Sequence, residues 1–473
     1  MTGPKATGPD PTGPKVTGPD PTGSDVTDRS RRGLAVGTLA GAMLLAVGVA
    51  VLTPWHPLGV DVTVHPEVRR GFTAAEVQRA AAFRDALGAW PYVALVLALA
   101  VPWVVFAVLG RRRRGDTPST ATTTPPPPAA GRPGQERVVA PRRAWPVVVA
   151  TVVGVLALQW LVALPSGIHS EQVLRDYHLS TQTWAGWLRD EAVGWTMNAA
   201  LTALGLLVVW WVVRRAPRRW PWVLAAGAAV VTVLGSVLYP LVVEPAYNRF
   251  TPLPDSALTR SISALATRDG IAHVRVVVSD ASARTTGENA HVSGLGSTRW
   301  VVLDDTTLAR ARQDPAAVLA VVAHEFGHVA AQDVLVGTAL GALGAATGVL
   351  ALGWLLTGAR GRRWLDPRAT GRRSVARGTA LLLAVVATAP WLGAPVTNLV
   401  SRHLEARADV HSLDLTRDVP AFERMQHDLA VTNLSRLEPT WWQTALFATH
   451  PDPAWRIAQA RAWERLHHQG AGP

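Results

Sequence analysis

Seven apolar runs, almost free of charge, interrupt this 473-residue chain and limit its architecture more than any other feature. They lie near residues 33–53, 89–110, 145–165, 195–213, 221–243, 334–357 and 378–400. Each is long enough, as a helix, to cross about 30 Å of hydrocarbon, whereas a soluble core would scatter its apolar residues among polar ones. Hydrocarbon offers no partner to a backbone N–H or C=O, so such runs must be helical. The expected fold class is mainly α: a seven-span α-helical membrane protein carrying a small α+β domain built from what lies between the spans.

The remaining segments divide the chain. Residues 1–32 open with a ten-residue repeat, "TGPKATGPDP" then "TGPKVTGPDP", whose Pro and Gly density predicts a disordered tail. Two spans with their loop follow in 33–110, then an Arg, Pro and Thr-rich linker at 111–144, and three spans in 145–243. Segments 244–332 and 401–473 remain for water-facing structure, with two spans (333–400) between them. In the first, "HVRVVVSD" and "TRWVVLDD" read as strands around the Gly-rich "TTGENAHVSGLGS". The second reads as helical, with Trp441, Trp442, Trp455 and Trp463 as packing anchors. The formal net charge of +12 comes mostly from Arg clustered at the ends of apolar runs, a pattern of membrane topology that argues against a nucleic-acid partner.

Cysteine is absent, so any metal must be held by His, Asp or Glu. The stretch "DPAAVLAVVAHEFGHVAAQD" (314–333) offers such a site. Asp314 and Pro315 suit a helix start, and beyond them His324 and His328 fall one turn apart on one face. Two imidazoles so spaced can share a zinc ion, with Glu325 beside the open coordination position as general base for a bound water. The other reading is a buried pair of helix histidines. A third ligand must come from elsewhere, and "NLVSRHLEARADVH" supplies Glu405 and Asp409 one turn apart. Glu405 can ligate while Asp409 accepts the free N–H of a ligating His. Alternatively, Arg402, His403 and Arg407 make this a charged, solvated helix.

"HEFGH", "SRHLEARAD", "THPDPAWRI" (449–457) and "YPLVVEPAYNRFTPLPD" (239–255) together resemble the CAAX prenyl protease type I family, membrane-integrated gluzincin zinc metalloproteases related to the bacterial heat-shock membrane protease. The likeness covers roughly residues 145–473. It implies His324, His328 and Glu405 as metal ligands for one Zn²⁺ per chain, Glu325 as base and Asp409 as the partner of a ligating His. It also implies His450 and Arg456 as groups that stabilise the transition state or substrate. "GENAHVSG" is similar to the family's edge strand, which implies substrate binding by Asn289 and Ala290. The eukaryotic members carry a further His where this chain reads "VAAQD", and the first 140 residues match poorly.

The expected function is a membrane-embedded zinc-dependent metalloendopeptidase that cuts peptides or membrane-associated proteins. Its partners are a peptide or protein substrate and a lipid bilayer, with no nucleic acid; a prenylated substrate does not follow from the residues. A non-catalytic zinc-binding scaffold or sensor is the alternative, against which Glu325 speaks; a transporter is disfavoured by spans nearly free of charge. The expected location is a bacterial plasma membrane, multi-pass. Basic residues outnumber acidic ones 8 to 2 at 111–144, 4 to 0 at 214–219 and 7 to 1 at 359–377, against 4 to 4 at 54–88 and 2 to 4 at 166–194. Basic loops stay in the cytoplasm, which places segments 244–332 and 401–473, and the site with them, outside.

Overall fold

The structure, a computed structural model, describes residues 21–111, 144–271, 275–358, 361 and 371–469. The decapeptide repeat and nearly all of the expected linker lie outside these residues. From the amino end, α1 (Pro21–Leu52) is followed by the short α2 (Pro66–Arg70) and α3 (Ala74–Leu87), then α4 (Trp90–Gly110), α5 (Trp145–Asp176), α6 (Trp184–Arg215) and α7 (Trp220–Leu238). A π-helical turn at Tyr239–Val243 and α8 (Glu244–Tyr247) lead to β1 (Phe250–Pro252), α9 (Ala257–Arg268), β2 (Arg275–Ser279), β3 (Ala290–Ser293), β4 (Trp300–Asp304), α10 (Asp305–Arg310) and α11 (Pro315–Ala330). The chain then continues through α12 (Asp333–Thr357), α13 (Arg372–Thr416), α14 (Val419–Thr432), α15 (Trp441–Phe447) and α16 (Pro453–Gln469).

Among the described residues, seven helices are long and apolar enough to cross a membrane, one for each expected span. The protein is a mainly α, multi-pass membrane protein. Among the spans, Val148 and Val152 of α5, Leu206 and Trp210 of α6, and Leu381 and Leu382 of α13 form one buried cluster. Most other apolar side chains on the spans are exposed, as a lipid-facing surface requires. Helix α1 starts at Pro21, inside the expected tail. Helix α13 runs without interruption from the seventh span across the expected boundary at residue 401.

The water-facing part is a four-stranded sheet in the order β1-β2-β4-β3, with β2 and β4 parallel and the outer pairs antiparallel. Helices α9 and α11 cover one face, where Ile262 and Leu265 meet Val301, Leu303, Val322 and Phe326. The strands β2 and β4 fall within the runs expected, and β3 falls in the Gly-rich stretch between them. Helices α14 and α16 pack on α11 and α13 through Phe422, Met425, Ala460 and Trp463. Trp463 is thus an anchor as expected, but Trp441 is 82% exposed and is not. It opens α15 beside the membrane-spanning part of α13, where an indole suits the water–lipid boundary better than a core.

Candidate metal centre and substrate cleft

Asp314 caps α11 as its sequence suggests: the carboxylate accepts the N–H of Ala317 at 3.0 Å, with Pro315 at the first helical position. Helix α11 is buried along most of its length, and α13 approaches it closely at Gly327. A Cβ added there would stand 3.0 Å from Ala408 Cα and from His411 Cβ. This close approach brings the third side chain of the site into range of the first two.

His324, His328 and Glu405 converge, their ligand atoms lying within 4.8 Å of one another. His324 Nε2 and His328 Nε2 are 3.2 Å apart; Glu405 places Oε2 3.2 Å from the first and Oε1 3.5 Å from the second. Four ligands about 2.0–2.1 Å from a zinc ion at tetrahedral angles stand roughly 3.3 Å from one another, which is the spacing of the two imidazole nitrogens, and Glu405 turns one oxygen to each of them. Glu405 Oε2 is buried between imidazoles, 3.2 Å from His324 Nε2 and 3.3 Å from His450 Nε2. A buried carboxylate oxygen facing imidazole nitrogens is a donor set suited to a shared cation.

The other nitrogen of each imidazole is held by a carboxylate, and each carboxylate by an arginine. His324 Nδ1 lies 3.0 Å from Asp409 Oδ1, and Arg456 donates to Asp409 through Nε at 2.8 Å and Nη2 at 2.5 Å. His328 Nδ1 lies 2.8 Å from Asp333 Oδ2, and Arg407 donates to Asp333 Oδ1. Carboxylates so placed fix the ring orientation and leave Nε2 of each ring for the ion. Burial alone lowers the pKa of His324, but the hydrogen bonds and charges of Asp409 and Glu405 outweigh it and raise the value to about 10. A metal bound at Nε2 displaces a proton from the ring.

Sequence reasoning found the first of these relays in Asp409 but missed Asp333 and Arg407. The signal was present: Asp333 is the first acidic residue after the motif, and Gln332 takes a left-handed conformation (φ 55°) that ends α11 and turns Asp333 back towards His328.

Glu325 and His324 line a cleft of about 860 Å³ bounded by β3, α14 and the start of α16. Glu325 is 6% exposed. His450 lies at the same opening, 58% exposed, with Nε2 3.3 Å from Glu405 Oε2 and Nδ1 2.9 Å from Thr449 Oγ1. Arg456 also lines the cleft, but its guanidinium is buried against Asp409.

Strand β3 is the edge of the sheet. Asn289, just before it, is tied inward: its carbonyl accepts Asp304 N–H at 3.1 Å and Thr307 Oγ1 at 2.9 Å, and its N–H donates to Thr307 Oγ1 at 2.9 Å. By the alternation of antiparallel pairing, the backbones of Ala290 and Val292 then point outward to the free edge. Asn433 clamps the preceding residue, donating to the Glu288 carbonyl at 2.9 Å and accepting its N–H at 3.0 Å. Asn433 thus covers the edge at Glu288 and leaves it open from Ala290 onward.

Residues 252–464 match the model of peptidase family M48, and residues 135–249 match the model described as CAAX prenyl protease N-terminal, five membrane helices. Three spans of this chain fall within the second match. The chain is similar to an uncharacterized metalloprotease, YhfN, of Bacillus subtilis (strain 168), 30% identical over 328 residues that make up 66% of this chain and 72% of that protein. It is also similar to CAAX prenyl protease 1 of Saccharomyces cerevisiae, 32% identical over 174 residues, 36% of this chain and 38% of that one. Among solved structures, that of S. mikatae Ste24p shares the fold, with a TM-score of 0.62 at 18% identity, over 93% of this chain and 99% of that one.

Proposed function

Because this chain belongs to peptidase family M48 and is a zinc metallopeptidase of the membrane, we propose that it works as an endopeptidase in which His324, His328 and Glu405 hold a single zinc ion. The observation that carries this reading is the convergence of His324, His328 and Glu405, whose two imidazole nitrogens stand 3.2 Å apart, about the edge of a zinc tetrahedron. When bound, zinc acts as a Lewis acid and lowers the pKa of a water towards neutrality. Glu325, next to the first ligand and facing the cleft, takes the proton released and later passes it to the leaving amine. His450 donates a hydrogen bond to the oxygen on which charge develops during attack. Arg456 acts through Asp409, fixing His324 rather than touching substrate.

An extended substrate lies against β3 and adds a strand to it through Ala290, while Asn289, exposed at the mouth, contacts a substrate carbonyl. The substrates are peptides or membrane-associated proteins. The charge asymmetry of the loops supports an outward-facing site in a bacterial plasma membrane, which a cytosolic prenylated protein could not reach. A non-catalytic zinc scaffold needs neither Glu325 nor an open cleft beside the ligands, and this site has both.

Metal analysis and casein cleavage by the purified protein and by Glu325→Gln test the proposal. Both proteins are expected to hold about one zinc per chain and only the unmodified one to cut. A zinc-loaded wild type as inert as the variant across a broad peptide set overturns it.

A further inference from the structure

Two half-buried arginines line the zinc cleft and take no part in the metal centre or its relays. Arg402 stands on α13 three residues before Glu405, so the two share a helix face, with about 5–6 Å between their Cβ atoms. Arg436 comes from the loop that joins α14 to α15.

Arg402 is fixed along one side only. Its Nη1 donates to the carbonyls of Thr444 and Ala448, both at 2.8 Å, where α15 ends. A helix end leaves such carbonyls without partners, and the contact sets the plane of the guanidinium. Its Nε and Nη2 make no hydrogen bond and keep accessible surface. These two nitrogens form one edge of a rigid fork, which matches the two oxygens of a carboxylate. Arg436 is fixed at its backbone instead. Leu434 takes a left-handed conformation (φ 46°), Ser435 donates its N–H to the Ala430 carbonyl at 2.8 Å, and Arg84 donates to the Leu434 carbonyl at 3.0 Å. The Arg436 guanidinium has no hydrogen bond or ion pair among the described residues.

The carboxylates of the cleft are engaged elsewhere. Both oxygens of Glu288 accept Arg310 Nε at 2.8 Å, Asp452 accepts the N–H of Trp455 at 2.9 Å, and Asp61 lies at the rim 3.9 Å from His56. Glu325 is the proposed base. Neither Arg402 nor Arg436 has a carboxylate partner among the described residues, so this part of the cleft carries uncompensated positive charge. An anion that enters gains charge-assisted hydrogen bonds from Arg402 and the field of Arg436.

We infer that this part of the cleft is a substrate subsite for an Asp or Glu side chain, with the Nε–Nη2 edge of Arg402 as its donor and Arg436 as a second positive charge. The inference rests on the proposal that peptides are cut in this cleft. A helical turn rises about 5.4 Å and an extended peptide about 3.3 Å per residue, so the selected position falls within about three residues of the scissile bond. A Lys or Arg side chain meets like charge there and is rejected.

The test is cleavage of a library of C-terminally amidated peptides by the full-length protein in a neutral detergent, each position near the scissile bond being varied among Glu, Asp, Gln, norleucine and Lys. The wild type is expected to prefer Glu or Asp over Gln at one position by about 10-fold or more in kcat/KM, and to disfavour Lys there. The ratio of Glu to Gln collapses in Arg402→Gln. In Arg436→Glu the same position shifts towards Lys, a change of sign that loss of packing alone does not produce. Arg402→Gln also gives up the bonds to α15; if it does not fold, Arg436→Glu decides. Cleavage without an acidic preference, or a preference that neither substitution moves, overturns the subsite and leaves the protease reading intact. A wild type that cuts no peptide overturns both.

Discussion

At the scale of single residues, the centre consists of two matched relays, His324–Asp409–Arg456 and His328–Asp333–Arg407, closed by Glu405. A ligand bears on metal affinity directly, whereas the outer carboxylates act by orienting a ring. Glu405→Ala is therefore expected to lose zinc altogether, and equal zinc retention in Glu405→Ala and Glu325→Gln removes Glu405 from the site. Asp333→Ala and Asp409→Ala are each expected to weaken zinc affinity by about 10- to 100-fold, measured by competition with a chelator. Asp409 was legible in the sequence because it stands one turn from Glu405 on a helix. Asp333 was not, because its contact depends on one left-handed residue at a helix junction that periodicity does not reveal.

At the scale of elements, the fit of α11 against α13 decides whether the donors meet. Gly327→Ala forces these helices apart by a few tenths of an ångström, since the new methyl faces Ala408 backbone. Displacements approaching 1 Å cost on the order of 100-fold in rate, so kcat/KM is expected to fall at least several-fold while the helical circular dichroism stays unchanged. The cap of α11 gives a pH prediction. The hydrogen bond from Arg424 holds the Asp314 pKa below its ordinary 3.8, so the stability this pair adds is present above that value and fades as pH falls through the folded one. Asp314→Asn keeps the cap but loses the ion pair. Its melting temperature should lie below that of the wild type at pH 6, with the gap closing below about pH 4; a constant gap removes the charge from the explanation. Helices and the buried β2 and β4 were readable because their patterns are long or continuous. The three residues of β1, one of them proline, carry no such pattern, and the edge at β3 becomes visible only once the strand order is known.

At the scale of the whole molecule, the bundle has two unlike ends. At one, Arg31 stacks on Trp354, Arg377 stacks on Phe106 and Arg373 donates to the Leu109 carbonyl at 2.9 Å, so the arginines gather around the ends of α1, α4, α12 and α13. At the other, the loops after α1 and α5, which carry no basic excess, pack onto the peptidase segments, with Phe72 meeting Ile457 and Phe83 and Leu179 meeting Leu434. A reporter fused after Pro473 reads which end faces the cytoplasm: export-dependent phosphatase activity is expected, and fluorescence from a cytoplasm-only reporter reverses the assignment. The separation of the ligands along the chain has a biosynthetic consequence. His324 and His328 precede α12, Glu405 follows the membrane-spanning part of α13, and their meeting requires both helices to have been threaded into the bilayer and folded back. Residues emerge from the ribosome in order, so on the proposed ligand set a nascent chain stalled before α13 holds His324, His328 and Glu325 but no complete centre. Proteolytic competence then arises only at the close of membrane assembly, and a half-made enzyme cannot cut the machinery that inserts it.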